Sequence, residues 1–73
     1  MPHVIIKMYP GTSEEQKEKI AQEITTILMI NADKPEEAVS IAIIEVAEDA
    51  WMEEVYSKEI LPNMENLYKK PGY

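Results

Sequence analysis

The apolar positions change spacing along the chain, and each spacing predicts an element. His3 to Tyr9 is short, rich in β-branched residues and stopped by Pro10-Gly11, which predicts a strand. Ser13-Glu14-Glu15-Gln16 then reads as a capping box, with Glu14 and Glu15 placed well at the positive end of a helix dipole. Ile20, Ala21, Ile24, Ile27 and Leu28 follow on one face at helical spacing, so a helix is predicted from about 13 to 31, with Met29 and Ile30 off its stripe. Asn31 to Pro35 reads as a turn, and Pro35-Glu36-Glu37-Ala38 as one short helical turn. Ser40 to Val46 is a second strand whose centre, Ile41-Ala42-Ile43-Ile44, is apolar on both faces, as in covered parallel sheets. Strand, long helix, strand predicts a right-handed βαβ unit. From Asp49, a candidate N-cap, the pattern turns helical again through Trp51, Met52, Val55 and Tyr56. Pro62 interrupts and opens a last helix carrying Met64, Leu67 and Tyr68, with Lys69-Lys70 at its end before Pro71-Gly72 stops it.

These elements make one small α+β domain over residues 1–73, a β-α-β unit followed by a C-terminal helical segment. Two parallel strands are too few for a stable sheet, and the long helix covers only one of its faces. Self-association is the expected remedy, and a two-fold dimer its commonest form. The chain has no cysteine and a single histidine, which removes disulfides and zinc fingers as staples. A net charge of −7 argues against nucleic acid or an anionic membrane as partner. With neither a signal-peptide layout nor an apolar run long enough to span a bilayer, a soluble cytoplasmic protein is expected.

The position carrying most chemical interest is Pro2. Removal of Met1, usual ahead of a small residue, turns its nitrogen into a free secondary amine at the head of the first strand. An α-amino group titrates near 7.7–8.0, and apolar surroundings lower that value, which suits a general base at neutral pH. Proline also simply starts strands well, and the residue alone leaves both readings open. Because strand neighbours face opposite ways, His3, Lys7 and Tyr9 share the side that Pro2 does not, so a neighbouring subunit's pocket is where Lys7 or Tyr9 could serve. Trp51 suits either packing or a pocket wall. Ser40 has no recognisable base beside it and reads as a strand-entry residue rather than a nucleophile. The Glu-rich stretches lack accompanying histidines or an aspartate-rich loop, so no metal site is expected.

With Pro2 in place, the segment Gly11-Thr12-Ser13-Glu14-Glu15-Gln16-Lys17 resembles the Gly-Arg-Ser-Asp-Glu-Gln-Lys stretch of the 4-oxalocrotonate tautomerase family. Val39 to Val46 falls into register with the family's second strand. Pro2-His3, Ile6-Lys7, Trp51, Ile60, Pro62, Met64-Glu65, Leu67 and the ending Lys69-Lys70-Pro71-Gly72-Tyr73 are similar to its PptA-type subgroup. The resemblance implies an enol–keto tautomerase of 2-oxo acids such as phenylpyruvate, working without metal or organic cofactor. It implies Pro2 as the base, with Thr12, Ser40, Trp51 and Tyr9 as substrate-binding candidates. It also implies a homodimer, since the C-terminal segment could cover surfaces used in a homohexamer, which is the alternative. The family's two anion-binding arginines fall at Thr12 and Ser40, and this chain contains no arginine. Lys7, Lys58, Lys69, Lys70 or backbone N–H groups near Thr12 are the possible substitutes. That loss keeps two alternatives in view, a non-catalytic oligomeric protein of the same fold and a promiscuous hydratase or dehalogenase.

Overall fold

Six residues of β1, His3–Met8, pair in parallel with six of β2, Ser40–Glu45, in the computed structural model, which describes residues 1–73. The register sets His3 opposite Ser40, Ile5 opposite Ala42 and Met8 opposite Glu45. The Ser40 N–H donates to the Pro2 carbonyl at 3.2 Å at one end, and the Val46 N–H to the Met8 carbonyl at 2.8 Å at the other. Both strands stop within one residue of their predicted ends.

The crossover is α1, Glu14–Asn31, and its start is the predicted capping box. The Gln16 N–H donates to Ser13 Oγ at 3.1 Å, and the Ser13 N–H donates to Gln16 Oε1 at 2.9 Å. Ahead of it Gly11 takes φ +124°, a conformation that a side chain would strain, and so turns the chain from β1 into the cap. Ile20, Ala21, Ile24 and Leu28 of the predicted stripe are half-buried, whereas Ile27 stays exposed. At its N-terminal end α1 is tied to β2 by Lys17, whose ammonium reaches Glu45 at 3.0 Å and Glu14 at 3.3 Å. Those hydrogen bonds, Glu45's first, raise the Lys17 pKa above its usual 10.5. The short turn predicted after Pro35 is a 3₁₀ turn, Glu36–Ala38.

The C-terminal half departs from its predicted form. Asp49 caps nothing; it lies inside a 3₁₀ turn, Glu48–Ala50, that Ala47 precedes. Met52–Ile60 is a π-helix rather than an α-helix. The Leu61 N–H reaches back five residues to the Tyr56 carbonyl, and Ser57 Oγ donates five residues back to the Met52 carbonyl at 2.8 Å. A π-helix widens the turn, so side chains five apart share a face. Val55 and Ile60 therefore both meet the sheet face that α1 leaves open, beside Ile5, Lys7 and Ile44. Lys7 and Glu59 pair across this junction. The last helix is a 3₁₀ segment, Leu61–Asn66, with Pro62 in its first turn; it ends before Leu67, leaving Tyr68, Lys69 and Lys70 beyond it.

Burial within one chain is slight. Val55 is its sole buried residue, and Ile5, Ile44 and Ile30 are 55, 43 and 75% exposed. The accessible surface is 5789 Å², against about 4,600 Å² for a compact monomer of 8.4 kDa by surface–mass scaling. The radius of gyration of 13.8 Å exceeds the roughly 11 Å typical of this length. The excess of about 1,200 Å² is more than the ~800 Å² that each partner contributes to an ordinary interface. Both strands also keep an unpaired edge, since the sheet has only two. This is a β-α-β layer built to be completed by self-association. Its melting midpoint should therefore fall by several degrees on tenfold dilution, followed by circular dichroism, whereas a monomer would melt at one temperature throughout.

Candidate active site

The ladder sorts the candidate residues into two groups. Pro2 and Ser40 are neighbours at its N-terminal end, joined by the Ser40 N–H bond to the Pro2 carbonyl. Ser40 Oγ and His3 Nδ1 share a hydrogen bond of 2.7 Å, which occupies the serine hydroxyl on the His3 side. Pro2 is half-buried and Met1 is 97% exposed, open to an aminopeptidase.

Tyr9, Thr12 and Trp51 gather at the other end. Tyr9 leaves β1 and meets the Trp51 ring edge-on, with centroids 5.3 Å apart and an interplanar angle of 86°. Around them opens a cavity of about 760 Å³, lined also by Met52, Tyr56 and Tyr73. That volume lies within the range of small-molecule sites, roughly 300–1,000 Å³. Four of the chain's five aromatic side chains wall it, and Tyr68 alone stands apart in solvent. Tyr73 closes one side: Trp51 Nε1–H donates to its hydroxyl at 2.9 Å, and its ring lies tilted at 42° to Tyr56 with centroids 5.8 Å apart. A groove of about 490 Å³ between α1 and β2 contains none of the candidate residues.

Tyr56 and Tyr73 are cavity residues that sequence reasoning did not pick out. For Tyr56 the available signal was its five-residue spacing from Trp51. For Tyr73 the one signal was its place in the Lys69-Lys70-Pro71-Gly72-Tyr73 ending that carries the resemblance, since Pro71-Gly72 otherwise reads as the end of ordered structure. Trp51 serves as both packing and wall, since it borders the aromatic cavity on one side and the cleft over Ile5 and Ile44 on the other.

Two lysines considered as anion ligands are already paired, Lys7 with Glu59 and Lys58 with Glu54 at 3.1 Å. Neither these nor Lys69 and Lys70 line the aromatic cavity. Its polar groups are hydroxyls, from Thr12 and the tyrosines, and one indole N–H. No group of three or more His, Asp or Glu side chains converges as a metal site would require, and no helix is long and apolar enough to cross a membrane.

From Pro2 to Tyr9 is seven residues of extended chain, roughly 23 Å at ~3.3 Å per residue. Within one chain Pro2 and the aromatic cavity therefore lie at opposite ends of the ladder.

Comparison with known proteins identifies the family. The profile of a family described as "Tautomerase enzyme" matches residues 2–59. Tautomerase PptA of Klebsiella pneumoniae is 46% identical over all of this chain and 97% of its own length. Proteins of the same name from Pectobacterium carotovorum and Escherichia coli are 38% and 36% identical over the same shares. Among solved structures, YwhB, a homologue of 4-oxalocrotonate tautomerase, superposes with a TM-score of 0.64 at 29% identity, over 66% of this chain and 79% of its own. TomN, another such homologue, supports the fold alone, with a TM-score of 0.66 at 20% identity over 68% and 77% of the two chains. A profile match across the β-α-β unit, Pro2 included, and full-length relatives well above 30% identity show that this chain belongs to the tautomerase family and is an isomerase.

Proposed function

We propose that this chain interconverts the enol and keto forms of aromatic 2-oxo acids such as phenylpyruvate, with Pro2 as the general base once Met1 is removed. The observation that carries the reading is the aromatic cavity at the Thr12 end, large enough for a phenyl ring and walled by Tyr9, Trp51, Tyr56 and Tyr73. The working unit is a homodimer or a larger closed assembly of the whole 1–73 chain, in which one copy's Pro2 faces another copy's cavity. Closing the ~23 Å gap between the half-sites needs such a partner, and the apolar surface left open in one chain supplies an interface.

The chemistry is a proton transfer between two atoms of one molecule. The Pro2 nitrogen takes the enol hydroxyl proton as the oxygen becomes a carbonyl. The same proton, held on the imino nitrogen, is then delivered to carbon 3. Bonds and charge balance with no electron acceptor. The step needs a neutral amine at working pH, which an apolar wall favours by disfavouring the ammonium form. It also needs hydrogen-bond donors at the oxygen that carries charge and at the carboxylate. Thr12, where relatives by resemblance hold an arginine, offers a hydroxyl in the cavity, a weaker grip than a guanidinium fork.

Pro2→Ala should lower kcat/KM for phenylpyruvate tautomerisation by at least about 100-fold, the low end for a general base. The oligomer should stay intact by gel filtration, and unchanged turnover would refute the scheme. Intact mass must accompany the assay, because protein retaining Met1 carries a tertiary amide at Pro2 and should be inactive. Trp51→Ala admits water to the amine's wall and raises the amine's pKa. The acidic limb of the pH profile of kcat/KM should therefore move to higher pH; a profile that stays put leaves Trp51 as packing only. Thr12→Arg should lower KM for phenylpyruvate about tenfold, as a charge-assisted bond replaces a neutral one. An unchanged KM would mean that position 12 does not face the bound carboxylate.

A further inference from the structure

We propose that the Tyr73 hydroxyl is a substrate-binding group of this enzyme, donating the hydrogen bond to the substrate carboxylate that an arginine-free site otherwise lacks. The inference rests on the aromatic cavity being the place where the 2-oxo acid binds.

Three observations carry it. First, an indole N–H can only donate, so the 2.9 Å contact from Trp51 Nε1 fixes the Tyr73 oxygen as the acceptor. The phenol's own proton is then directed away from Trp51, and no protein acceptor takes it. Accepting one hydrogen bond also polarises the hydroxyl and makes it a better donor. Second, the ring is held at two points, by the indole at its hydroxyl and by Tyr56 at its face. A donor fixed in this way loses little freedom when it binds, although Tyr73 as a whole is 61% exposed. Third, the alternatives are committed or remote. Lys7 and Lys58 are paired with Glu59 and Glu54, and no lysine lines the cavity. For a ring seated among Tyr9, Trp51 and Tyr56, Thr12 and Tyr73 are the remaining hydroxyl groups of the lining open to its acidic head.

The chain's single tryptophan touches Tyr73, so its emission reports binding directly, without turnover and whatever the state of Met1. The probes are 3-phenylpropionate, an unreactive aryl carboxylate, and 3-phenylpropanol, which keeps the ring without the charge. Dissociation constants come from titration midpoints for wild type, Tyr73→Phe and Tyr68→Phe. Tyr73→Phe keeps the ring on Tyr56 and deletes only the hydroxyl. It should weaken 3-phenylpropionate about tenfold or more, as loss of a hydrogen bond to a charged group does, and change 3-phenylpropanol by less than about threefold. Tyr68→Phe, at the fully exposed tyrosine outside the cavity, should leave both within about twofold. In steady state, Tyr73→Phe should raise KM for phenylpyruvate by the same factor with kcat nearly constant. Equal affinity of wild type and Tyr73→Phe for the carboxylate overturns the role of Tyr73 while leaving the cavity and Pro2 chemistry intact. Failure of wild type to bind either probe saturably overturns the cavity as the site, and Tyr73 with it. Loss of both probes equally in Tyr73→Phe would make Tyr73 a packing residue and also refutes the inference.

Discussion

A ladder of six paired residues decides what this small protein can do. Parallel pairing of β1 with β2 places the start of both strands at one end and their exits at the other. Pro2 and Ser40 belong to the entrances; Tyr9, Thr12 and Trp51 belong to the exit side. No rotamer change spans the length of a strand. A single chain therefore keeps Pro2 at one end and the aromatic cavity at the other. The same thinness explains the lack of core. Two strands with one α-helix on one face and a short π-helix on part of the other bury only Val55, so the core is left for self-association to complete.

The chain's charge makes substrate capture a question of magnitudes. At a net charge of −7 the long-range field repels a carboxylate, and no guanidinium stands in the cavity to offset it. What the cavity offers instead is apolar area. Burying a phenyl ring of roughly 150 Å² at ~25 cal/mol/Å² is worth about 4 kcal/mol at most. A hydrogen bond to a charged group adds about 1.5–3 kcal/mol. Ring burial would thus be the larger contribution. For the proposed reaction this ordering favours aromatic 2-oxo acids over short aliphatic diacids.

The β-α-β half was legible in the sequence because its signals are local. Ser13 and Gln16 cap α1 through bonds three residues apart, and Pro10-Gly11 and Pro35 end elements by their own backbone restrictions. Ile27, predicted on the buried stripe and found exposed, shows the limit of periodicity: the stripe is wider than the two strands beneath it. The C-terminal half was less legible because Trp51, Met52, Val55 and Tyr56 fit the spacing of an α-helix as well as that of the π-helix they adopt. Of the site, Thr12 could be named only through the family resemblance, while strand parity and aromatic character raised Tyr9 and Trp51 without deciding their role. Their convergence depends on β1 passing beneath the C-terminal segment, which no local pattern encodes.

The π-helix is what allows one short segment to serve two surfaces. In an α-helix, at 100° per residue, Tyr56 would stand about 140° around the axis from Trp51, and Val55 would replace it on Trp51's face. In the π-helix and its N-cap, Trp51 and Tyr56 line the cavity, while Val55 and Ile60, again with Trp51, line the cleft over Ile5 and Ile44. The aromatic wall and this part-open cleft are then two faces of one element, with Trp51 at their boundary. π-Turns are rare and frequent at functional sites, and this one carries Tyr56, whose ring packs tilted against Tyr73 in the cavity wall.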